Sequence, residues 1–345
     1  KGKRMSRNYL ITGGAGFIGS NYAGRLIQRG ERVTLFDNLS RAGAPRNVNW
    51  LKSQFGETGF SLIVGDLRNA DLLAESATDA DVIVHLAGQV AVTTSVTNPR
   101  DDFESNALGT FNALEAARLS KKNPIFLYAS TNKVYGGMDD VKLVEESTRW
   151  LYKDLEHGCS ESQPLDFHSP YGVSKGSGDQ YVRDYARIYG LRSVVFRQSC
   201  IYGPRQFGIE DQGWLAWMMI AAVTGRKLTI YGDGKQVRDV LHVNDLLDAY
   251  DAAIEKIDVA KGQIYNVGGG RRNVMAIWAE FGPILEKLLG KKIEVAREDW
   301  RPGDQKVFYA DLRKAKNELG WEPKIDLEEG MELMFEWVKA NRELF

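Results

Sequence analysis

The sequence predicts an α/β fold: a doubly wound parallel sheet joined to a smaller C-terminal α/β substrate domain. Short, nearly continuous apolar runs alternate with longer helical patterns through the first two-thirds of the chain. That rhythm belongs to a parallel sheet buried on both faces. A glycine-rich turn separates the first run from the first helical pattern. Glycine is also in surplus, 35 of 345 residues against an average of about 7%. Several stretches of backbone must therefore do without a Cβ.

In chain order, strands are expected at 9–12, 32–36, 61–64, 81–86, 125–129 and 193–196, each rich in Val, Ile, Leu or Phe. Helices are expected at 103–119 and 173–189, from their length and apolar spacing. After about residue 197 the rhythm changes. Loops rich in Gly and Arg separate helical patterns near 212–224, 243–256, 273–289 and 327–343. The expected division is a dinucleotide-binding domain over 5–197, completed by 237–262, and a second domain over 198–345. No Pro/Ser-rich linker intervenes, so the two are expected to pack as one body. Lys1–Arg4 precede Met5 and read as an appended tail outside the fold.

Composition removes several classes. Lys+Arg 45 against Asp+Glu 46 leaves a net charge of −1, so no global basic field attracts nucleic acid or an anionic membrane. The longest apolar candidate, 214–223, falls short of the roughly 18 residues of a membrane span, and no secretory signal is expected. Two cysteines, Cys159 and Cys200, cannot build a disulfide framework, which points to a reducing cytoplasm. The four histidines, His85, His157, His168 and His242, lack close metal-ligand spacing, so no metal site is expected.

The glycine turn carries the first chemistry. Thr12-Gly13-Gly14-Ala15-Gly16-Phe17-Ile18-Gly19 follows a strand and opens a helix. Gly13, Gly16 and Gly19 let backbone amides approach a pyrophosphate at the helix N-terminus. Asp37 closes the second strand, 18 residues after Gly19. An acid there accepts from the adenosine ribose hydroxyls and repels a 2′-phosphate, which favours NAD over NADP. Arg41 stands close by.

Tyr171 and Lys175 begin a helix at i and i+4, on one face. A nearby ammonium is expected to lower the tyrosine pKa, so that the phenol exchanges a proton with a substrate hydroxyl. Ser130 and Thr131 lie just after the fifth strand, at the carboxyl edge where ligands bind such sheets.

On these residues, with Asp66, His85-Leu86-Ala87-Gly88 and Gly234 to Asp239, the chain resembles the extended short-chain dehydrogenase/reductases, the nucleotide-sugar epimerases and dehydratases. The resemblance spans residues 5–345 and implies a Rossmann-type fold, a bound NAD and a nucleotide-sugar substrate held by 198–345. It implies Tyr171 as the acid/base, Lys175 on the nicotinamide ribose and Thr131 on the reacting hydroxyl. It places Asp66 and Leu67 beside adenine, and Leu86, Ala87 and Gly88 along the pyrophosphate and ribose. Phe17, Ile18, Asn38, Ser40, Arg41, Gln89 and Asn106 complete the implied cofactor set. It further implies a homodimer or homotetramer through the helices at 103–119 and 173–189.

The segment after the fifth strand narrows the activity. The family's 4,6-dehydratases carry an Asp-Glu pair after the Thr, and here Asn132 and Lys133 stand there. An amide is no general acid, so dehydration is disfavoured. Ser130 to Gly136, Asp166 to Tyr171, Gln89 to Ser95 and Asp211 to Trp214 are most similar to the family's CDP-sugar 2-epimerases, which implies a CDP-3,6-dideoxyhexose as substrate. The implied substrate contacts are Arg205, Arg238 and Arg301 on the diphosphate and Tyr231 at the base. Thr94, Ser95, Asn132, Lys133, His168, Gln198, Gln206 and Gln212 are expected around the sugar. The alternatives are a UDP-sugar 4-epimerase or another sugar-nucleotide oxidoreductase. A non-catalytic NAD-binding protein is disfavoured, because it needs no tuned phenol.

Overall fold

The computed structural model describes residues 6–301 and 305–345. The tail Lys1–Arg4 lies outside the described residues. The main sheet has seven parallel strands: Asn8–Thr12, Arg32–Asp37, Ser61–Val64, Val82–His85, Ile125–Thr131, Arg192–Gln198 and Ile264–Val267. Counted in chain order they lie 3-2-1-4-5-6-7 across the sheet. The order reverses between the first and fourth strands, which opens a crevice at their carboxyl ends.

Alternate residues of the central strands feed two separate cores. Ile11, Val84, Leu127 and Phe196 pack on one face with Tyr22, Leu246 and Tyr250. Leu10, Ile83, Phe126 and Val195 pack on the other with Leu73, Leu114 and Val182. Both faces are dry, which is why these strands read as continuous apolar runs rather than alternating ones. Each large side chain so buried contributes about 1.5–3 kcal/mol of transfer free energy.

All six expected strands are present, and the seventh comes from 264–267, just past the expected return segment. The segment expected as one helix over 273–289 is instead a strand, Val274–Ala276, and then a helix, Phe281–Leu289. Val274–Ala276 pairs antiparallel with Val237–Asp239. This long-range pairing of buried residues overrides the local helical pattern. The helix expected from Phe103 begins a turn earlier, at Pro99, and widens into a π turn over Phe103–Leu108 before Gly109–Leu119.

A second lobe stands over the carboxyl edge. Its small sheet joins Cys200–Tyr202, Val237–His242, Val274–Ala276 and Val307–Phe308. The helices Trp214–Thr224, Phe281–Leu289 and Leu327–Ala340 close its core. Trp214–Thr224 is thus a packed helix, and no described helix is long and apolar enough to cross a membrane.

Candidate active site

The glycine turn has the geometry a pyrophosphate needs. Gly13 has φ +68°, a left-handed conformation, and a Cβ there would lie 2.7 Å from the Ala87 amide nitrogen. Gly16 caps the helix Phe17–Gln28, and no side chain caps that helix end. Its first amides are left to an anion. Asp37 fixes the turn from below, accepting from the Ala15 amide at 3.0 Å and the Leu39 amide at 2.8 Å. These features fit a dinucleotide diphosphate. Gly13→Ala is expected to cost about 1–3 kcal/mol through backbone strain. It should also hold NAD at least about tenfold more weakly, read as the NAD released from purified protein on acid denaturation.

Around the turn, the other expected cofactor residues are held by a net of backbone and side-chain hydrogen bonds. The Leu86 amide donates to the Thr12 carbonyl and the Ala87 amide to Thr12 Oγ1. Asn38 Nδ2 donates to Asp66, which Arg68 also holds through two bonds; this holds the Asp66 carboxyl down at about 2. The Ser40 amide donates to Asn38 Oδ1, and the Leu67 carbonyl accepts from Asn112. Gln89 folds its amide onto Ala91, and its carbonyl accepts from buried Asn106. His85 is fully buried between the hydroxyls of Thr12 and Thr110, and burial pushes its pKa down to about 3, so it is neutral.

The helix Pro170–Tyr189 starts at Ser169, whose hydroxyl accepts from the Gly172 amide, with Pro170 in its first turn. It carries Tyr171 into the cleft that Thr131 also lines, with Lys175 buried one turn further on. Tyr171, Thr131 and Ser130 line the same cleft. Lys175 Nζ lies 4.4 Å from the centre of the Tyr128 ring. Burial pushes Tyr171 up to about 12 and Lys175 down to about 8. This corrects the expectation that Lys175 lowers the tyrosine pKa. The groups favouring the phenolate are the Thr131 hydroxyl and the Arg41 charge.

Below this set lies a buried network that local sequence does not announce. Arg197 binds both oxygens of Asp179 at 2.9 Å, and Ser130 donates to the same carboxylate at 2.8 Å. Arg197 also donates to Tyr135, which donates to Asn266. Thr131's neighbour is thereby tied to the helix Pro170–Tyr189.

A cleft of about 420 Å³ runs from Phe17 and Ile18, past Thr131, Asn132, Lys133 and Tyr171, to Arg238, Tyr231 and Arg301. Gln198, Gln206 and Gln212 also line it. Arg301 stacks 3.8 Å over the Tyr231 ring and pairs with Asp211 at 3.3 Å. Arg41 donates to Gln212 across the two lobes. Four expected substrate contacts do not line the cleft. Ser95 is buried and donates to the Val92 carbonyl, and Thr94 faces solvent; Val90, Val92 and Thr93 line the cleft instead. His168 pairs with Asp166 on the surface. The Arg205 guanidinium lies on the Trp50 ring at 3.4 Å, where stacking replaces ion pairing. Glu210, Asp211 and buried Gln305 were not expected. Gln305 accepts from Asn132 and Lys133, each at 3.4 Å.

A glycine turn fitted to a dinucleotide, beside a cleft lined by Thr131 and Tyr171, has the features of a dinucleotide-dependent enzyme. Comparison with known proteins agrees. A family profile described as GDP-mannose 4,6 dehydratase matches residues 10–334. CDP-paratose 2-epimerase of Salmonella typhi is 44% identical over 96% of this chain and 99% of that protein. UDP-glucose 4-epimerase of Thermotoga maritima, solved with UDP-glucose, superposes with TM-score 0.82 at 30% identity, covering 96% of this chain and 99% of that one. A dTDP-glucose 4,6-dehydratase of Streptomyces venezuelae, solved with NAD, superposes with TM-score 0.83 at 29% identity, covering 98% of each chain. The chain belongs to the NAD-dependent epimerase/dehydratase family of sugar-nucleotide enzymes, and its cofactor is NAD.

Proposed function

We infer that the chain epimerises C2 of a CDP-3,6-dideoxyhexose, interconverting CDP-paratose and CDP-tyvelose through a transient 2-keto sugar. The observation that carries this reading is the 44% identity to a CDP-paratose 2-epimerase along almost the whole of both chains. Asn132 and Lys133 accord with it, since an amide is no general acid and an ammonium reverses the charge of the second carboxylate of the dehydratases.

The chemistry is coherent. A C2 proton with no adjacent carbonyl is not acidic, so direct deprotonation is excluded. Removing hydride from C2 makes a ketone, and returning it to the other face inverts the centre. A 3-deoxy sugar has no 3-hydroxyl to offer a 3-keto route. NAD held on the turn of Gly13, Gly16 and Gly19 would supply the acceptor and donor for that hydride. Tyr171 takes the C2 hydroxyl proton and later returns it, with Thr131 holding the same oxygen. Lys175 fixes the nicotinamide ribose. Arg238 and Arg301 neutralise the sugar diphosphate, and Arg301 exchanges Asp211 for it. In this reading 5–197 with its returning strand forms the NAD lobe and 198–345 the nucleotide-sugar lobe. The protein works in a reducing cytoplasm as a homo-oligomer, paired through the exposed Phe103, Phe111, Tyr181 and Ile188.

Purified protein given CDP-paratose, CDP-glucose and UDP-glucose separately, with C2 and C4 configuration followed by NMR, tests it. The expected result is C2 inversion of CDP-paratose. Conversion confined to C4, or to UDP-glucose, overturns the assignment. Turnover is expected to fall as pH rises through about 8, where Lys175 loses its proton.

A further inference from the structure

Lys175 is enclosed, and the charges around it can be sorted. On its own helix are Tyr171, a neutral phenol, and Asp179, whose carboxylate is already matched by the two-pronged Arg197 bond. From neighbouring strands come the neutral Tyr128 ring and neutral His85. Arg41 acts on Tyr171 from the cleft mouth. The remaining acid is Asp102, fully buried at the end of Pro99–Asp102, where the π turn begins.

Asp102 is held by neutral donors. Ser174, the residue before Lys175, donates to Oδ2 at 2.6 Å, and Asn106 Nδ2 donates to Oδ1 at 3.0 Å. Burial raises the Asp102 pKa, and two donors on two oxygens act against it to favour the ionised carboxylate. Neither donor brings a positive charge, so the field of Asp102 is left for Lys175, and it favours the ammonium. Asn106 also donates to the Gln89 carbonyl, which ties the same cluster to the loop flanking the cofactor.

We propose that Asp102 is a positioning residue and the buried counter-charge that keeps Lys175 an ammonium while Ser174 and Asn106 fix its place. The inference rests on Lys175 serving as the cation beside the nicotinamide ribose.

The test is Asp102→Asn in the NAD-loaded protein, with the Lys175 titration followed by competitive acetylation and peptide mass spectrometry. Removing an opposite charge is expected to lower the Lys175 midpoint by about one pH unit or more. The alkaline limb of turnover should move down with it. Asp102→Ser, also uncharged, carries the same expectation if the amide variant does not fold. Ser174→Ala removes a bond but no charge, and should leave the midpoint in place. An unmoved midpoint in the uncharged variants, an equal shift in Ser174→Ala, or a rate loss uniform across pH overturns the proposal. Absence of CDP-sugar turnover with the midpoint shifted refutes the substrate reading and leaves the role of Asp102 standing.

Discussion

Tyr171→Phe is expected to lower turnover about 10²–10⁴-fold, the usual contribution of a positioned acid/base, while NAD stays bound. The variant removes one oxygen and keeps the ring that fills the site. Thr131 remains, but in the proposed reaction its hydroxyl holds the reacting oxygen and has no means of storing its proton at neutral pH. Lys175 sits over the Tyr128 ring, where its ammonium serves orientation. The phenol is thus the group to which the proposed reaction gives the proton. Turnover within tenfold of the unmodified rate, measured by the same NMR conversion, would remove Tyr171 from that role.

Arg197→Met is expected to cost about 3–5 kcal/mol of stability, read by urea unfolding of the NAD-loaded protein. Both partners of this pair are buried, with side chains 2% and 0% exposed. Losing the guanidinium leaves the Asp179 charge without a bonded cation. The neutral donors Ser130 and Gln180 do not replace that charge. The double variant Asp179→Leu with Arg197→Met is expected to recover much of the loss, because apolar replacement of both partners leaves no orphaned charge. A single-variant cost below about 1 kcal/mol, the scale of a surface pair, would show that the pair is not structural.

Much of this architecture is readable along the chain because it is local. The apolar runs become strands, since a two-sided parallel sheet demands them. Gly13, Gly16 and Gly19 are legible because a tight turn before a helix has few chemical solutions. Tyr171 and Lys175 need only helical spacing to share a face. What hides depends on distant partners. Asp102 looks like any acid in a helix's first turn until Ser174, 72 positions on, is seen beside it. Arg205 looks like a phosphate clamp until Trp50 offers its ring. Ser95 and His168 have the right chemistry for a sugar, yet local bonds to Val92 and Asp166 claim them. Val274–Ala276 becomes a strand because its partner is 237–239. The state of Tyr171 is hidden for a related reason: burial, invisible in sequence, raises the phenol, and the charge acting to lower it is that of distant Arg41.

The seventh strand, Ile264–Val267, also bears on how the protein is made. It lies beyond Arg192–Gln198, and until it arrives that strand is the margin of the sheet. Residues 199–263, including much of the second lobe, are synthesised before it. A nascent chain therefore carries an unpaired, strongly apolar strand border while those residues leave the ribosome. Such borders invite pairing with other chains. A product truncated near residue 200 is accordingly expected to aggregate rather than persist as a free NAD-binding half. Chaperone demand should be highest during synthesis of that stretch, and should end when residue 267 docks.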